Sequence, residues 1–194
     1  MRIRSRPNKR LVAILAAVIA VSGTVSMQTG WLSRAGSVLE RSQPGLYSVE
    51  RFIDGDTIAV DMNGHVESVR FIGIDTPETH KPDTPVQCWG PEASAYTQAL
   101  IGRSKVRLAS DALSTNRDRY GRLLRYVYLP DGTLVNRELV LDGQAFYYPY
   151  FPFGKSAVFG AAQEAAMAAR KGIWSACEPE RTSGGGWVSS PRDS

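Results

Sequence analysis

The sequence predicts an α+β domain that is mainly β, a small five-stranded antiparallel barrel with three helices packed outside it. Three observations carry that expectation. Two hairpin turns separate three alternating runs near the start of the domain, two more β-rich runs follow a helical segment, and two helical segments close the chain. The folded unit reads as about residues 46–180 of 194, enough for one buried domain and short for two.

The first three strands lie in "YSVERFIDGDTIAVDMNGHVESVRFIGID", where apolar and polar residues alternate and Asp54-Gly55 and Asn63-Gly64 mark tight turns. "PEASAYTQALIG" then begins with a proline and an acid, keeps helical spacing and stops at Gly102. "SKVRLAS" and "LLRYVYL" read as the fourth and fifth strands, joined by the polar "DALSTNRDRYGR". After the turn "PDGT", "LVNRELVLDG" reads as a short helix, and "SAVFGAAQEAAMAARKGIW" as a longer alanine-rich one ending near Gly172. A barrel of five strands with helices outside is of the oligonucleotide/oligosaccharide-binding type. Such a fold assigns no chemistry by itself.

The ends read differently. Residues 1–27 carry five cations, an apolar run from Leu11 to Val21 and then small residues, the order of an export signal. Cleavage at Val21-Ser22-Gly23 or Thr24-Val25-Ser26 gives a secreted, periplasmic or cell-surface protein, and retention gives a signal-anchored membrane form. Residues 28–45 read as a linker and 181–194, with "TSGGGWVSSPRDS", as a disordered tail. The formal net charge of +4 belongs to the signal, because the remaining residues hold 18 basic against 19 acidic side chains. Global charge therefore gives no support for a nucleic-acid partner. Export would place Cys88 and Cys177 in an oxidising compartment, where pairing closes a loop of about ninety residues and contributes roughly 2–4 kcal/mol. Unpaired thiols are the other reading, and two cysteines are too few for a zinc site.

Three segments hold charge that a purely structural reading does not need. Asp56 follows a turn that Asp54-Gly55 already satisfies, Asp75-Thr76-Pro77-Glu78 ends an apolar strand, and Arg117, Arg119 and Arg122 precede another. Read singly, each is a turn acid or a solvated connection. Read together, Asp56 and Asp75 can share a hard cation with a carbonyl near Thr76, a set suited to Ca²⁺ or Mg²⁺. Arg70 and Arg122 supply planar forks for a phosphate, and Glu78 can orient or deprotonate water, so the combination suits phosphodiester hydrolysis. Strict alternation opposes this, placing Arg70 with Ile72 and Ile74 on one face and Asp75 on the other. Gly73 offers a bend that can bring them together.

"VERFIDGDTIAV", "VRFIGIDTPET", "GPEASAYTQAL", "DRYGRLLRYVY", "VNRELVLDGQA" and "GIW" occur in the order and approximate spacing of the staphylococcal nuclease (thermonuclease) family, which the chain resembles over about residues 47–175. The resemblance implies a Ca²⁺-dependent, sugar-nonspecific nuclease for DNA and RNA, single-stranded or frayed by preference, with one Ca²⁺ per site and no obligate protein partner, acting as a monomer. It implies Asp56, Asp75 and the Thr76 carbonyl as metal ligands, Arg70 and Arg122 as phosphate clamps, and Glu78 as the residue that activates water. Arg119 and Tyr120 fall near the substrate's terminal phosphate and base, and Tyr150, or Tyr148, takes the base-stacking place. It further implies release of the 5′ oxygen, leaving 3′-phosphate ends. The chain departs from the family in "THKPDTPVQCWG", which adds Asp83 and Cys88, and in "FYYPYFPF", where a proline falls opposite a family tyrosine. Trp174 is expected to pack the last helix. The rival function is a non-catalytic barrel that binds nucleic acid or protein; a carboxylate-pair glycosidase would leave both arginines idle.

Overall fold

The structure, a computed structural model, describes residues 45–79 and 85–192. The expected export signal, nearly all of the linker, and His80–Thr84 with Asp83 lie outside the described residues.

Strands β1 (Ser48–Asp54), β2 (Thr57–Met62) and β3 (His65–Phe71) form the meander. The second turn is tight because Asn63 and Gly64 both take positive φ, +59° and +88°, and Met62 pairs directly with His65. β3 then stops. Ile72 and Gly73 turn the chain, Gly73 at φ +74°, and β4 (Ile74–Asp75) leaves the main sheet to pair with β7 (Phe146–Tyr147). Helix α1 (Gly90–Ile101) leads to β5 (Arg107–Ala109) and β6 (Leu123–Tyr128). α2 (Val135–Leu141), α3 (Ser156–Ala168) and the single turn α4 (Ile173–Ala176) follow, with β8 (Glu180–Arg181) and β9 (Trp187–Val188) last.

The main sheet has the order β1-β2-β3-β6-β5. Two features differ from the expected antiparallel barrel. β3 and β6 run parallel, Val69 opposite Leu123, because the chain passes through α1 and β5 before it returns in the same direction. The sheet also does not close into a barrel: its edge strands share no ladder, and their ends meet at one bridge, Tyr47 with Val106, through two 2.8 Å hydrogen bonds. Register shifts between Val49 and Arg51 and between Phe52 and Asp54 interrupt the β1–β2 ladder, as bulges that bend a strand do.

Inward residues of the sheet, among them Ile58, Val60, Val69, Phe71 and Val127, are buried against Leu139 and Val140 of α2 and Phe159 of α3. Asn136 is the polar pin of this core. Its Oδ1 accepts from Val127 N at 2.8 Å, and its Nδ2 donates to Ile72 O at 3.0 Å and Arg125 O at 3.3 Å. One side chain thus ties α2 to β6 and to the turn that ends β3.

The tail is ordered through Arg192, contrary to its Gly/Ser composition. Trp187 packs edge-on against Trp174, with ring centroids 5.1 Å apart, and buried Ser189 donates to Cys88 O at 2.8 Å. One large aromatic and a run of backbone pairing supply the contacts that the glycines lack. A disulfide joins Cys88 to Cys177 with Cα atoms 6.0 Å apart, fastening the end of α4 to the entry of α1.

Asn136→Ala is expected to leave Val127 N and Ile72 O buried without partners and to cost about 2–4 kcal/mol. Urea unfolding monitored by tryptophan fluorescence measures this, and a loss below ~1 kcal/mol would mean that water replaces the amide.

Candidate active site

The first turn of the meander brings two acidic residues, Asp54 and Asp56, to one place. Asp54 Oδ1 accepts from Gly55 N at 2.8 Å, Thr79 Oγ1 at 2.9 Å and Ser94 Oγ at 3.3 Å. Asp56 is buried, accepting from Thr57 Oγ1 at 3.0 Å and from Thr76 N at 2.8 Å. The turn sits closely under the β4 exit. A Cβ on Gly55 would lie 2.8 Å from Thr76 Cγ2, and Thr97 of α1 donates to Gly55 O at 2.6 Å.

Arg70 is where these segments converge. Its guanidinium meets Asp56 Oδ2 at 2.9 Å and Asp75 Oδ1 at 2.6 Å, and donates to Ile74 O at 2.9 Å. The alternation that would separate Arg70 from Asp75 is broken at Gly73, whose positive φ reverses the face on which the next residues project. The close packing of Phe153 on Gly73 leaves no room there for a Cβ.

The charges are unbalanced. Asp75 is pushed up to about 7 by desolvation, and by Asp56, Glu78 and Asp54, against the pull of Arg70, although the outer part of its side chain meets solvent. Asp54 is pushed up to about 6 by desolvation, by Asp56 and by a hydrogen bond with the Glu78 carboxyl, with Gly55 N and Thr79 pulling it down. Three carboxylates, Asp56, Asp75 and Asp54, therefore act on the Arg70 guanidinium, and Glu78 adds its charge beside Asp75. Glu78 is held by its backbone: its N–H donates to Gln87 Oε1 at 2.8 Å and its carbonyl accepts from Gln87 N at 2.9 Å.

The remaining expected residues form a second group before β6. Asp118 accepts from Arg122 Nε at 2.6 Å and from the Arg122 backbone N–H at 3.0 Å, fixing that arginine at the end of the loop. Arg119 donates to the Tyr120 hydroxyl at 2.8 Å and lies over its ring, 4.8 Å from the centroid, and Tyr120 is exposed. Tyr148 stands between the groups. Partial burial raises its hydroxyl, Asp75 raises it further, and Arg70 and Arg119 both lower it. Tyr150 is 4.7 Å from Tyr148, ring to ring, and shares a hydrogen bond with Thr182. Trp174 packs edge-on against Phe146 at 5.5 Å.

Sequence reading missed Asp54 and Asp118. Both are the aspartates of turn motifs, and that sufficient local explanation hides a second role. Their signals were the doubled acid in "DGDT" and the four-residue spacing of Asp118 and Arg122.

The chain is similar in sequence to known proteins. A family model described as staphylococcal nuclease homologue matches residues 68–176. A protein named Thermonuclease from Staphylococcus hyicus is 40% identical over 168 residues, covering 85% of this chain and 95% of that one. Thermonuclease of Staphylococcus intermedius is 48% identical over 105 residues, 53% of this chain and 61% of that one. Endonuclease YncB of Bacillus subtilis is 40% identical over 146 residues, 73% of this chain and 68% of that one.

Gly73→Ala tests the convergence of Arg70 and Asp75. The new methyl group must take a left-handed conformation against Phe153, so stability should fall by about 2 kcal/mol or more. Thermal unfolding reads the loss; an unchanged transition would show that the turn tolerates a Cβ.

Proposed function

The chain belongs to the staphylococcal nuclease homologue family, and on that footing we propose that it is an exported nuclease, a phosphodiester hydrolase requiring Ca²⁺ and cutting both DNA and RNA. The observation that carries the reading is Arg70 held between Asp56 and Asp75 beside Glu78. A binding module has no use for such a costly concentration of acids, whereas hydrolysis of an anionic ester needs cations and a base at one point.

The donor set suits a hard cation. Thr76 Oγ1 is buried without a hydrogen-bond partner, and Asp54 and Asp75, raised first by desolvation and then by neighbouring acids, have charged forms that a cation would favour. Among the described residues no group of three or more acids, histidines or cysteines is placed to hold a metal ion by itself, so a backbone carbonyl has to complete the set. Asp56, Asp75 and the Thr76 carbonyl would hold an open Ca²⁺ site, with water and phosphate oxygen filling it. The bound ion supplies charge neutralisation and a more acidic water.

The side chains do the rest. Arg70 exchanges part of its contact with Asp75 and Asp56 for a phosphate oxygen, and Arg122, steadied by Asp118, donates from the other side. Glu78 accepts the proton of the attacking water, with the Asp54 carboxyl beside it. Arg119 and Tyr120 contact the neighbouring nucleotide and Tyr150 stacks a base, which favours single-stranded or frayed substrate. The protein acts as a monomer, and its amino-terminal segment directs export, cleaved or retained as an anchor.

Two measurements test this reading. DNA and RNA should both be cut with Ca²⁺ present and spared with a chelator, and Glu78→Gln should slow cleavage by about 10²–10⁴-fold. Equal cleavage in all four conditions would end the mechanism.

Calcium should also stabilise the fold in a pH-dependent way. The folded Asp75, near 7, keeps a proton that an unfolded aspartate, at 3.8, has lost, so the ion-free protein loses stability as pH rises from about 4 to 7. Calcium relieves the charged form. The melting-temperature gain on adding Ca²⁺ should therefore be small at pH 5, grow through pH 7 and level off above it; the same gain at pH 5 and 8 would refute the assignment.

A further inference from the structure

The activity proposed above gives no task to residues 177–192, yet this segment reaches both sides of the site. The β8–β9 turn, Thr182–Gly186, closes through Thr182 N to Gly186 O and Gly185 N to Thr182 O, both 3.0 Å. It is seated around the hydroxyl end of Tyr150, whose hydroxyl shares a hydrogen bond with Thr182. A Cβ on Gly184 would overlap the ring on its Cε1 side, and one on Gly186 would lie 2.7 Å from the hydroxyl oxygen and 2.8 Å from Cε2. The glycines therefore let the backbone lie against the tyrosine from both edges.

The turn is anchored at both ends. Trp187 packs on Trp174, Arg181 lies over Trp187 at 4.9 Å, and Trp174 packs on Phe146, which pairs with Asp75 in the β4–β7 ladder. Beyond the turn, Cys88 N donates to Ser190 O at 2.9 Å and Arg192 N to Val86 O at 2.8 Å. Between those two bonds sits Gln87, the residue that holds the Glu78 backbone. The disulfide at Cys88 fixes the same point.

We propose that the carboxy-terminal hairpin is part of the substrate site, with Thr182, Gly184 and Gly186 as positioning residues that preset the Tyr150 ring for an unpaired nucleobase beside the scissile phosphate. This rests on the nuclease reading. A tyrosine with a free hydroxyl end would have to order its ring on binding, which weakens affinity. Fixing it in advance makes the hairpin a determinant of how strongly a base-bearing strand is preferred.

The test uses the full-length oxidised protein and two single-stranded oligonucleotides, one normal and one carrying abasic sugars around a single cleavable bond. Wild type should show a lower KM for the normal strand. Thr182→Val, which keeps shape and removes the hydrogen bond, should shrink that KM preference by about 3–10-fold, with the loss confined to KM for the base-bearing strand. Gly184→Val should do the same or more, and Thr182→Val should add nothing in a Tyr150→Ala background, since coupled residues are not additive. If Gly184→Val fails to fold, Thr182→Val decides alone. An unchanged preference in Thr182→Val would make the hairpin a brace only, and a lowered KM would make it an obstruction; either overturns the proposal. Failure of wild type to cut either strand would instead overturn the nuclease reading on which it rests.

Discussion

The architecture around the site depends on one half-buried guanidinium, that of Arg70. Arg70 lies at 14% side-chain exposure with its charge divided between Asp56 and Asp75, at 7% and 43%. Removing an ion pair from water costs several kcal/mol per ion unless further hydrogen bonds complete it. Here Ile74 O, Thr76 N and Thr57 Oγ1 complete it, so the β1–β2 turn, the end of β3 and the β4 exit must all be in place together. The local architecture of all three follows from that requirement.

The geometry also explains why the main sheet gives up a strand at this point. Had β3 continued, Asp75 would project from the opposite face to Arg70. Instead the chain turns at Ile72 and Gly73, and Ile72 N still donates to Arg125 O at 3.0 Å, so the last contact with β6 coincides with the first residue of the turn. β4 then pairs with β7, which carries Tyr148 in behind it through Tyr148 N to Gly73 O at 2.9 Å. A two-residue ladder thus connects the acidic centre to the aromatic segment.

Local features of the fold were legible because local chemistry decides them. Asn63-Gly64 specified its hairpin, Gly102 its helix end, and Gly73 was recognisable as the place where alternation must fail. What composition did not reveal depends on partners distant in the chain. The parallel pairing of β3 with β6 and the open sheet edge arise from the crossover path, and no single run of residues records it. The carboxy-terminal glycines looked like a spacer because their use, close approach to Tyr150, is visible only from the tyrosine's side. Asp54 was hidden by a sufficient local reason, its turn bond to Gly55, while its bonds to Thr79 and Ser94 reach 25 and 40 residues along the chain.

A centre assembled from like charges has to be held by contacts outside itself. Asp54, Asp56, Asp75 and Glu78 repel one another, and that repulsion adds to desolvation in raising Asp54 and Asp75. The restraint comes from α1 and its entry. Ser94 bonds Asp54, Thr97 bonds the Gly55 carbonyl, and Gln87 and Cys88, just before the helix, secure the Glu78 backbone and the disulfide. Because the disulfide constrains the unfolded chain, and need not add a native contact at the acids, it offsets repulsion without neutralising it. The acids are thus held in place for a cation by the Arg70 ion pairs and by uncharged groups of α1 and its entry.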